Sequence, residues 1–590
     1  MDRKNYMLVI AEKPDAAQRV AEALDEKGKP TKRLERNYPY FELQRSDRRI
    51  VVAPASGHLY TIMQQRGGRN YYPVYTFKWV PKYRAERNAS RTRNIIDAIA
   101  KLSVDANEFV NAADYDVEGS LIGYMILKHA CGGKEKEAKR MKFSTLTRGE
   151  LNQAFENMMP HLDFQLAEAG QTRHEVDWVY GINLSRALTL SAVKQNNRYT
   201  TLSIGRVQGP TLKLIVQREI EIRSFVPVPY WQIDATVEIE GKPYKAAFEQ
   251  DRINRKAEAE EIQRRCSEKI GRIEDIEEKK IHRTPPEPFD LGTLQKEAYR
   301  FFGYTPRRTL DVAERLYLDA LISYPRTSSQ KLPPSINYRG VLEGLLRLAR
   351  YSKFAAALLQ LSSLKPNEGR RHDPAHPAVY PTGNVPGRDL PSDQAKVYDL
   401  VVKRFMATFG PPSIRLSTKV SIQCEGYAFF MHGRRIVDEG WTAFYHPYAE
   451  ADEVILPRLT VGESVNFRKV ENIECFTQPQ PRYNPASLLK VMEENNIGTK
   501  ATRAEIIDTL YGRGYLRGER VVATDLGFTV IDTLNKYCTE VTSVELTRNL
   551  EEKMEQIESQ TATGPDVLLE SVGALHPTLI RMKSTENAIG

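Results

Sequence analysis

Apolar residues follow two rhythms along this chain, and the changes of rhythm divide it. Between residues 1 and 155, short apolar runs alternate with segments of helical period. YMLVIAEKPDAAQRVAEAL (6–24) reads as a buried strand followed by a helix with Pro14 in its first turn, and EFVNAADYDVEGSLIGYMIL (108–127) repeats the pattern. Strands interleaved with helices predict an α/β layer. Residues 156–215 turn helical, with the apolar positions of DWVYGINLSRAL at helical spacing. From 225 the period drops to two in WQIDATVEIEG and KPYKAAFEQ, and the same alternation returns at 413–470 in RLSTKVSIQCEG, YAFFMHG and VNFRKVEN. A helix-rich stretch, about 288–410, lies between, bounded by IHRTPPEP and GPPS. The pattern predicts a multidomain α/β + α + β chain in which a helical domain is inserted into a β hinge; 590 residues exceed what one core can organise.

Reactive side chains concentrate where these elements end. NAADYDVEGS (111–120) sets Asp114, Asp116 and Glu118 at i, i+2 and i+4, where an apolar run meets Gly119. That spacing can gather a hard cation such as Mg²⁺. Glu12 and Lys13 stand at the carboxyl end of the first strand. Ligands of open parallel sheets collect at such ends, so Glu12, Lys13, Asp114 and Asp116 converge if the two strands are neighbours.

ISYPRTSSQKLP (322–333) follows a segment with a clear helix start, Thr305 as N-cap and Pro306 at the first position, and with an apolar stripe of Leu310, Ala313, Leu316 and Ala320. Pro325 biases Tyr324 away from the helical region. The phenol then stands beside Arg326 where a rigid helix gives way to an extended segment. A tyrosine so placed can be a phosphoryl-accepting nucleophile, and its ordinary pKa of ~10 calls for help from Arg326 and Lys13. Taken singly, a D-x-D-x-E run is more often a solvated loop or helix start, and Tyr-Pro-Arg a plain helix terminus.

Charge narrows the partner. Eighty-five Lys and Arg against 76 Asp and Glu give a formal +9 and a pI near 9.0, which favours an anionic partner, with a solvated basic surface as the plainer alternative. No apolar run approaches the ~18 residues that span a bilayer, and MDRKNYM has no apolar core behind its charges. A soluble, intracellular protein without a membrane partner is expected. Five cysteines without a C-x-x-C pair suggest neither a disulfide framework nor a zinc finger, and are expected to be reduced and packed. The G-x-x-x-x-G-K-[ST] phosphate loop is absent, which argues against ATP.

In their order, AEKP, D-x-D-x-E-G and Y-x-R-T resemble the motifs of the type IA DNA topoisomerases. RHEVDWVYGINLSRALT (173–189), SIGRVQGPTL (203–212), PFDLGTLQKEAYRFFGYTPRRTLDVAERLY (288–317), HPAVYPT (376–382), GTKATRAEIIDTLYGRGYL (498–516) and ELTRNLEEKMEQIE (545–558) extend the resemblance nearly end to end. It is nearest to the topoisomerase III branch, particularly archaeal forms, since no zinc-ribbon tail follows residue 560. The resemblance implies a type IA toroid. Its parts would be an N-terminal Toprim domain (1–155), a helical DNA-groove domain in two parts (156–220 and 481–590), a β hinge domain in two parts (221–287 and 411–480), and an inserted domain (288–410) whose tyrosine can lift away from the metal domain.

Residue by residue, the resemblance implies that Tyr324 attacks single-stranded DNA, leaving a 5′-phosphotyrosyl link and a free 3′-hydroxyl. Arg326 and Lys13 would neutralise the phosphate, and Glu12 would protonate or orient the 3′ oxygen. His376 would contact the backbone near the break, with His372 a weaker rival. Glu12, Asp114 and Asp116, together with Glu118, would hold Mg²⁺, which Mn²⁺ can replace; neither ATP nor zinc is called for. Arg173, Asp177, Asn183 and Arg186, with Ser203, Gly205, Arg206 and Gln208, would line the single-strand groove. Thr499 and Arg503 would add a helix-turn-helix-like match. Asp177 and Asn183 read equally well as buried hydrogen-bonding residues, and Tyr71, Tyr72, Tyr75 and Trp79 as a tyrosine-rich strand edge rather than stacking platforms.

Three positions depart from the family pattern. Val117 and Ser120 replace an arginine and a glutamate of D-x-D-R-E-G-E, and Lys500 replaces a proline. Glu118 is therefore expected as an outer-shell or helix N-terminal residue. The expected partners are single-stranded DNA and negatively supercoiled or gapped duplex, met by a monomer in the cytoplasm at the nucleoid. RNA as substrate and a helicase as partner stay open. A Toprim nuclease or primase would share residues 1–130 but has no use for Tyr324 with Arg326, and a non-catalytic single-strand scaffold has no use for the acids.

Overall fold

β1 (Tyr6–Ala11) is buried at every position, as a strand covered on both faces must be. In the computed structural model, which describes residues 5–68, 70–196, 201–449 and 452–589, it is a central strand of a six-stranded sheet. β2 (Thr31–Glu35), β3 (Tyr38–Arg45) and β4 (Arg48–Pro54) form an antiparallel meander, and β4 pairs with β1 in parallel. β5 (Tyr60–Gln64) and β6 (Phe77–Pro81) make a separate ribbon. β7 (Ala106–Asn111) runs parallel to β1 on its other side, followed by the short β8 (Lys139–Arg140). The condition for convergence is thus met: β1 and β7 are neighbours with the same direction, so their carboxyl ends bring Glu12 and Asp114 to one edge.

Alternation of period two builds the second layer. β9 (Pro229–Ile239) buries Trp231, Ile233, Ala235, Val237 and Ile239 on one face. With β10 (Lys242–Phe248), β11 (Ile270–Arg283), β12 (Ser413–Cys424), β13 (Tyr427–Asp438) and β14 (Ser464–Phe476) it closes an antiparallel barrel in the order β10-β13-β12-β11-β14-β9. Closure removes exposed sheet edges. The chain leaves the barrel after β11 and re-enters at β12, and the helices between carry Tyr324.

The apolar cores follow this division with one instructive exception. The helices Phe164–Asn196 and Gln208–Ser224 share a core with residues 483–582. The barrel has its own. A third core is continuous from one face of the sheet (Met7, Val9, Ile50) through Phe143 and Leu146 into the inserted helices (Val312, Leu316, Tyr351). The segment with Tyr324 is therefore docked on the α/β layer by apolar packing as well as polar contacts.

The tyrosine-rich segment corrects one expectation. Residues 71–76 are a connection between β5 and β6, not a strand edge. The buried Asn183 amide accepts from the Val74 N–H and donates to the Val74 carbonyl, doing the work of a neighbouring strand. All five cysteines are free; Cys131, Cys266, Cys424 and Cys538 are buried, and Cys475 is partly so. Among the described residues no helix is long and apolar enough to cross a membrane. Most of MDRKNYM lies outside those residues.

Candidate active site

Backbone geometry fixes the acids before any side chain does. β7 ends at Asn111, and the loop 112–116 turns into the helix Val117–Met125, with Asp116 as N-cap accepting from Gly119 N at 2.8 Å. A Cβ on Gly119 would meet the Asp114 carbonyl oxygen at 2.2 Å, so glycine is what lets this helix start so close to the loop. Beneath it Arg140, wholly buried, donates to the carbonyls of Asn111, Ala113, Met141 and Asp114 at 2.7–3.1 Å. On the β1 side, Ser56 N and Gly57 N donate to the Glu12 carbonyl at 2.8 and 3.0 Å. Gly57 does so at φ +80°, in the left-handed region that glycine enters without strain.

The helix Pro306–Leu318 presents the facing half. Thr305 caps it by accepting from Arg308 N, Pro306 sits in its first turn, and Leu310, Ala313 and Leu316 are buried as the sequence predicts. Its last turn supplies Tyr317, whose hydroxyl donates to Asp114 Oδ1 at 2.9 Å. Tyr324 lies beyond the helix with its N–H on the Ser144 carbonyl at 2.8 Å, and its hydroxyl donates to Asp116 Oδ2 at 2.5 Å. The Tyr317 and Tyr324 rings meet edge to face at 5.2 Å, and His376 lies 4.5 Å from the Tyr324 ring centre. The His376 Nδ1 is 2.9 Å from Ser144 Oγ, while its Nε2 is buried without a partner.

Positive charge is gathered by one carboxylate. Glu314 accepts from Lys13 Nζ at 3.4 Å and from Arg326 Nε at 2.8 Å, and also binds the Arg326 terminal nitrogen. Lys13 Nζ stands 3.7 Å from Glu12. Arg326 is thus held beside the tyrosine, and Lys13 beside the acids.

Burial and mutual repulsion dominate the electrostatics. Desolvation first, then Asp114 and Asp116, push the Glu12 carboxyl well above its ordinary range, and Lys13 and Arg326 only partly offset this. Asp114 moves the same way by burial and by Asp116, opposed by Lys13 and by the Tyr317 hydrogen bond. Burial and then the two aspartates hold the Tyr324 phenol far above ten. Arg326 acts on that phenol in the expected, lowering direction and is outweighed by burial and the aspartates. Burial lowers His376 to about 4, so its imidazole is neutral.

The same acids fit a hard cation. Asp114 and Asp116 each spend one oxygen on a tyrosine hydroxyl, Asp116 gives its other to Gly119 N, and among the described residues Glu12 has only its long contact with Lys13 as a side-chain partner. Three crowded carboxylates with oxygen lone pairs to spare are a donor set for Mg²⁺.

The expected groove residues separate into two groups. Asp116, Glu118, Arg173, Arg326, Lys500 and Arg503 line one cavity of about 940 Å³, joining the acids to the C-terminal helices. Asn183 does not face it: its amide is consumed by Val74. Arg206 is buried between Asp177 and Glu551 at 3% exposure, and Arg173 is tied to Glu551 at 3.0 Å, so two expected phosphate contacts are neutralised within the protein. Arg186 donates to the Gly68 and Tyr71 carbonyls. Ser203 offers its carbonyl to Tyr515, Gly205 has open space where a Cβ would be, and Gln208 opens the helix Gln208–Ser224. Thr499 N bonds Thr502 Oγ1, and Arg503 Nε bonds the Ile497 carbonyl. Lys500 pairs with Asp373, and His372 is exposed and lines the same cavity.

Arg140, Tyr317 and Glu314 escaped the sequence reading. Only the helical spacing of Glu314 and Tyr317 on the stripe leading to Tyr324 hinted at two of them. His58 and His174, which both bind Glu118, were also missed. Glu118 itself sits in the first turn of its helix, as expected from the Val117 and Ser120 departures.

Comparison with known proteins gives the same picture independently. A DNA topoisomerase family model matches residues 161–569, and a Toprim domain model matches 7–146. The chain is similar to DNA topoisomerase 1 of Pyrococcus horikoshii, 45% identical over 99% of this chain and 85% of that one. It is 41% identical to DNA topoisomerase 1 of Methanocaldococcus jannaschii, over 99% and 75%. Full-length topoisomerase I of Thermotoga maritima superposes with a TM-score of 0.75 at 25% identity, covering 97% of this chain and 90% of that one.

Proposed function

The chain belongs to the type IA DNA topoisomerases, and we propose that Tyr324 is the nucleophile with which it cleaves one DNA strand, holds it as a 5′-phosphotyrosyl ester, passes another strand and religates. The observation that carries this is the Tyr324 hydroxyl, 2.5 Å from Asp116 and within the field of Arg326, whose partner Glu314 also holds Lys13.

The resting contacts support the following route for the protons. Tyr324 attacks phosphorus and gives its proton to Asp116, the acceptor it already holds. The bond from phosphorus to the 3′ oxygen breaks, and Glu12, kept protonated by burial and its acidic neighbours, supplies the proton for the departing 3′-hydroxyl. Arg326 and Lys13 stabilise charge on the phosphate oxygens in a water-poor site. His376, neutral and with Nε2 unpartnered, offers that nitrogen to the backbone. Religation is the reverse, and the ester conserves the bond energy, so ATP is not required.

Glu12, Asp114 and Asp116 would hold Mg²⁺ or Mn²⁺, which when bound supplies positive charge and orientation at the 3′ end. Arg173 and Arg206 would meet DNA phosphates once strand entry displaces Glu551. Single-stranded, negatively supercoiled or gapped DNA is the proposed substrate of this monomeric cytoplasmic enzyme. The archaeal-type placement is supported by the archaeal relatives, each a DNA topoisomerase 1, and the topoisomerase III-like subtype is proposed from the motif resemblance alone. Purified protein should relax negatively supercoiled plasmid with Mg²⁺ and without ATP, and leave fully positive supercoils untouched. Relaxation that requires ATP, or none with Mg²⁺, would overturn the reading.

A further inference from the structure

Beside the carboxylate cluster lies a second group of ligand atoms with different chemistry. His58 Nε2 is 2.8 Å from Glu118 Oε2, and His174 Nε2 is 3.0 Å from the same oxygen. The two imidazole rings stand 4.9 Å apart at 48°, and one ligand atom from each of the three residues falls within 4.8 Å of the others. The side chains come from three separate elements. His58 follows the Ser56–Gly57 turn that wraps the Glu12 carbonyl, Glu118 is in the first turn of Val117–Met125, and His174 is on the long helix Phe164–Asn196.

Two imidazole nitrogens with one carboxylate oxygen suit a borderline dication such as Zn²⁺, bound at about 2.0–2.2 Å with water in the fourth position. Mg²⁺ prefers six oxygens and is disfavoured by such a set. Ligands of a tetrahedral ion at that distance are roughly 3.3 Å apart. The two nitrogen–oxygen contacts need to widen by only a few tenths of an ångström, and the two nitrogens already lie within 4.8 Å of each other. Side-chain exposures of 26% for His58, 35% for His174 and 26% for Glu118 leave a path for the ion and room for its water. Trp79, whose ring lies 6.1 Å from that of His174, closes one side and donates to Glu175. The expected absence of zinc was argued from cysteines, and this cluster contains none.

We propose that His58, Glu118 and His174 bind one transition-metal dication of the Zn²⁺ class, separately from Glu12, Asp114 and Asp116. The ion ties the start of the Glu118 helix to the His174 helix and to the loop that holds Glu12. It takes Glu118 out of the Mg²⁺ set, in keeping with the missing charges at Val117 and Ser120.

The test reads binding rather than activity, so it stands apart from the proposed reaction. Full-length protein freed of metal is titrated with Zn²⁺ against a chromophoric chelator in excess Mg²⁺, and with Co²⁺ by absorption. One equivalent should bind, with a Co²⁺ spectrum free of thiolate charge-transfer bands. His58→Gln and His174→Gln should each weaken Zn²⁺ roughly ten-fold or more, and Asp114→Asn should leave it unchanged. Should either glutamine variant misfold by circular dichroism, Glu118→Gln, which keeps a hydrogen-bonding group of the same size, should show the same loss. Absence of stoichiometric binding, binding that survives in the His58→Gln/His174→Gln double variant, a thiolate band, or a loss with Asp114→Asn matching that of the histidine variants would overturn the proposal, leaving the cluster a hydrogen-bonded triad.

Discussion

Tyr324 donates its phenolic proton to Asp116 at 2.5 Å, joining the inserted domain to the α/β layer through the atom proposed as the nucleophile. The proton's destination is set before DNA arrives, and the same carboxylate belongs to the set that fits Mg²⁺. Proton and metal therefore compete for one group of acids.

That competition has a sign. Glu12 and Asp114 have pKa values raised above their unfolded values, so metal-free protein is favoured at low pH and loses stability as pH rises through the shifted values. Mg²⁺ binds better as these protons leave. The Mg²⁺ needed for half-maximal relaxation should fall between about pH 6 and about pH 8, and the thermal stabilisation given by Mg²⁺ should grow over the same interval. A Mg²⁺ requirement independent of pH would show that the acids are already ionised in the free protein.

Glu314 holds both Lys13 and Arg326, so removing a cation and removing its holder should differ. Arg326→Ala should cut the cleavage rate roughly 10²–10³-fold with little change in single-strand affinity, as for other groups that meet charge developing in the transition state. Glu314→Gln should cost less, because the cations remain and lose only their orientation. Gel-based cleavage under single turnover, with affinity measured by anisotropy, separates the two. Equal losses of binding and cleavage for Arg326→Ala would make it a phosphate anchor.

What could be read from the sequence follows physical range. Strand period, helix caps and the carboxyl-end rule are local, so β1, β7, Thr305, Pro306 and the meeting of Glu12 with Asp114 were legible. Arg140, Tyr317 and Glu314 act across 26, 203 and 12 residues of sequence respectively, through contacts that no local pattern encodes. The groove was legible as an element and not as a charge state. Arg206, in the turn before Gln208–Ser224, and Arg173, on the helix Phe164–Asn196, both reach Glu551, more than 300 residues on, which neutralises them. Asn183 failed as a DNA contact for a related reason: only the fold shows that its amide replaces a strand for Val74.

Lys500, where the family pattern has a proline, spans from the C-terminal helices to Asp373 in the inserted domain. Asp373 also accepts from Ser328 N at 3.0 Å and Ala375 N at 3.0 Å, and its carboxyl is held at about 2. Since that value lies below the unfolded one near 3.9, its stabilising contribution is complete above pH ~4 and is lost as pH falls toward 2. Lys500→Ala should lower stability by about 1–3 kcal/mol, the worth of a hydrogen bond to a charged group, and raise proteolytic accessibility of the inserted domain. Wild-type accessibility in the variant would mean that apolar packing alone keeps this seam closed.

The central claim is that Tyr324, and no other residue, carries the broken strand. It is tested most directly by trapping the cleaved complex on a single-stranded oligonucleotide, digesting the protein and locating the adduct by mass spectrometry. The account predicts one adduct, on Tyr324, joined to a 5′-phosphate with the 3′-hydroxyl free, and none with Tyr324→Phe, which should still bind the oligonucleotide. An adduct on Tyr317 or another residue, a 3′ linkage, or relaxation by Tyr324→Phe would contradict it.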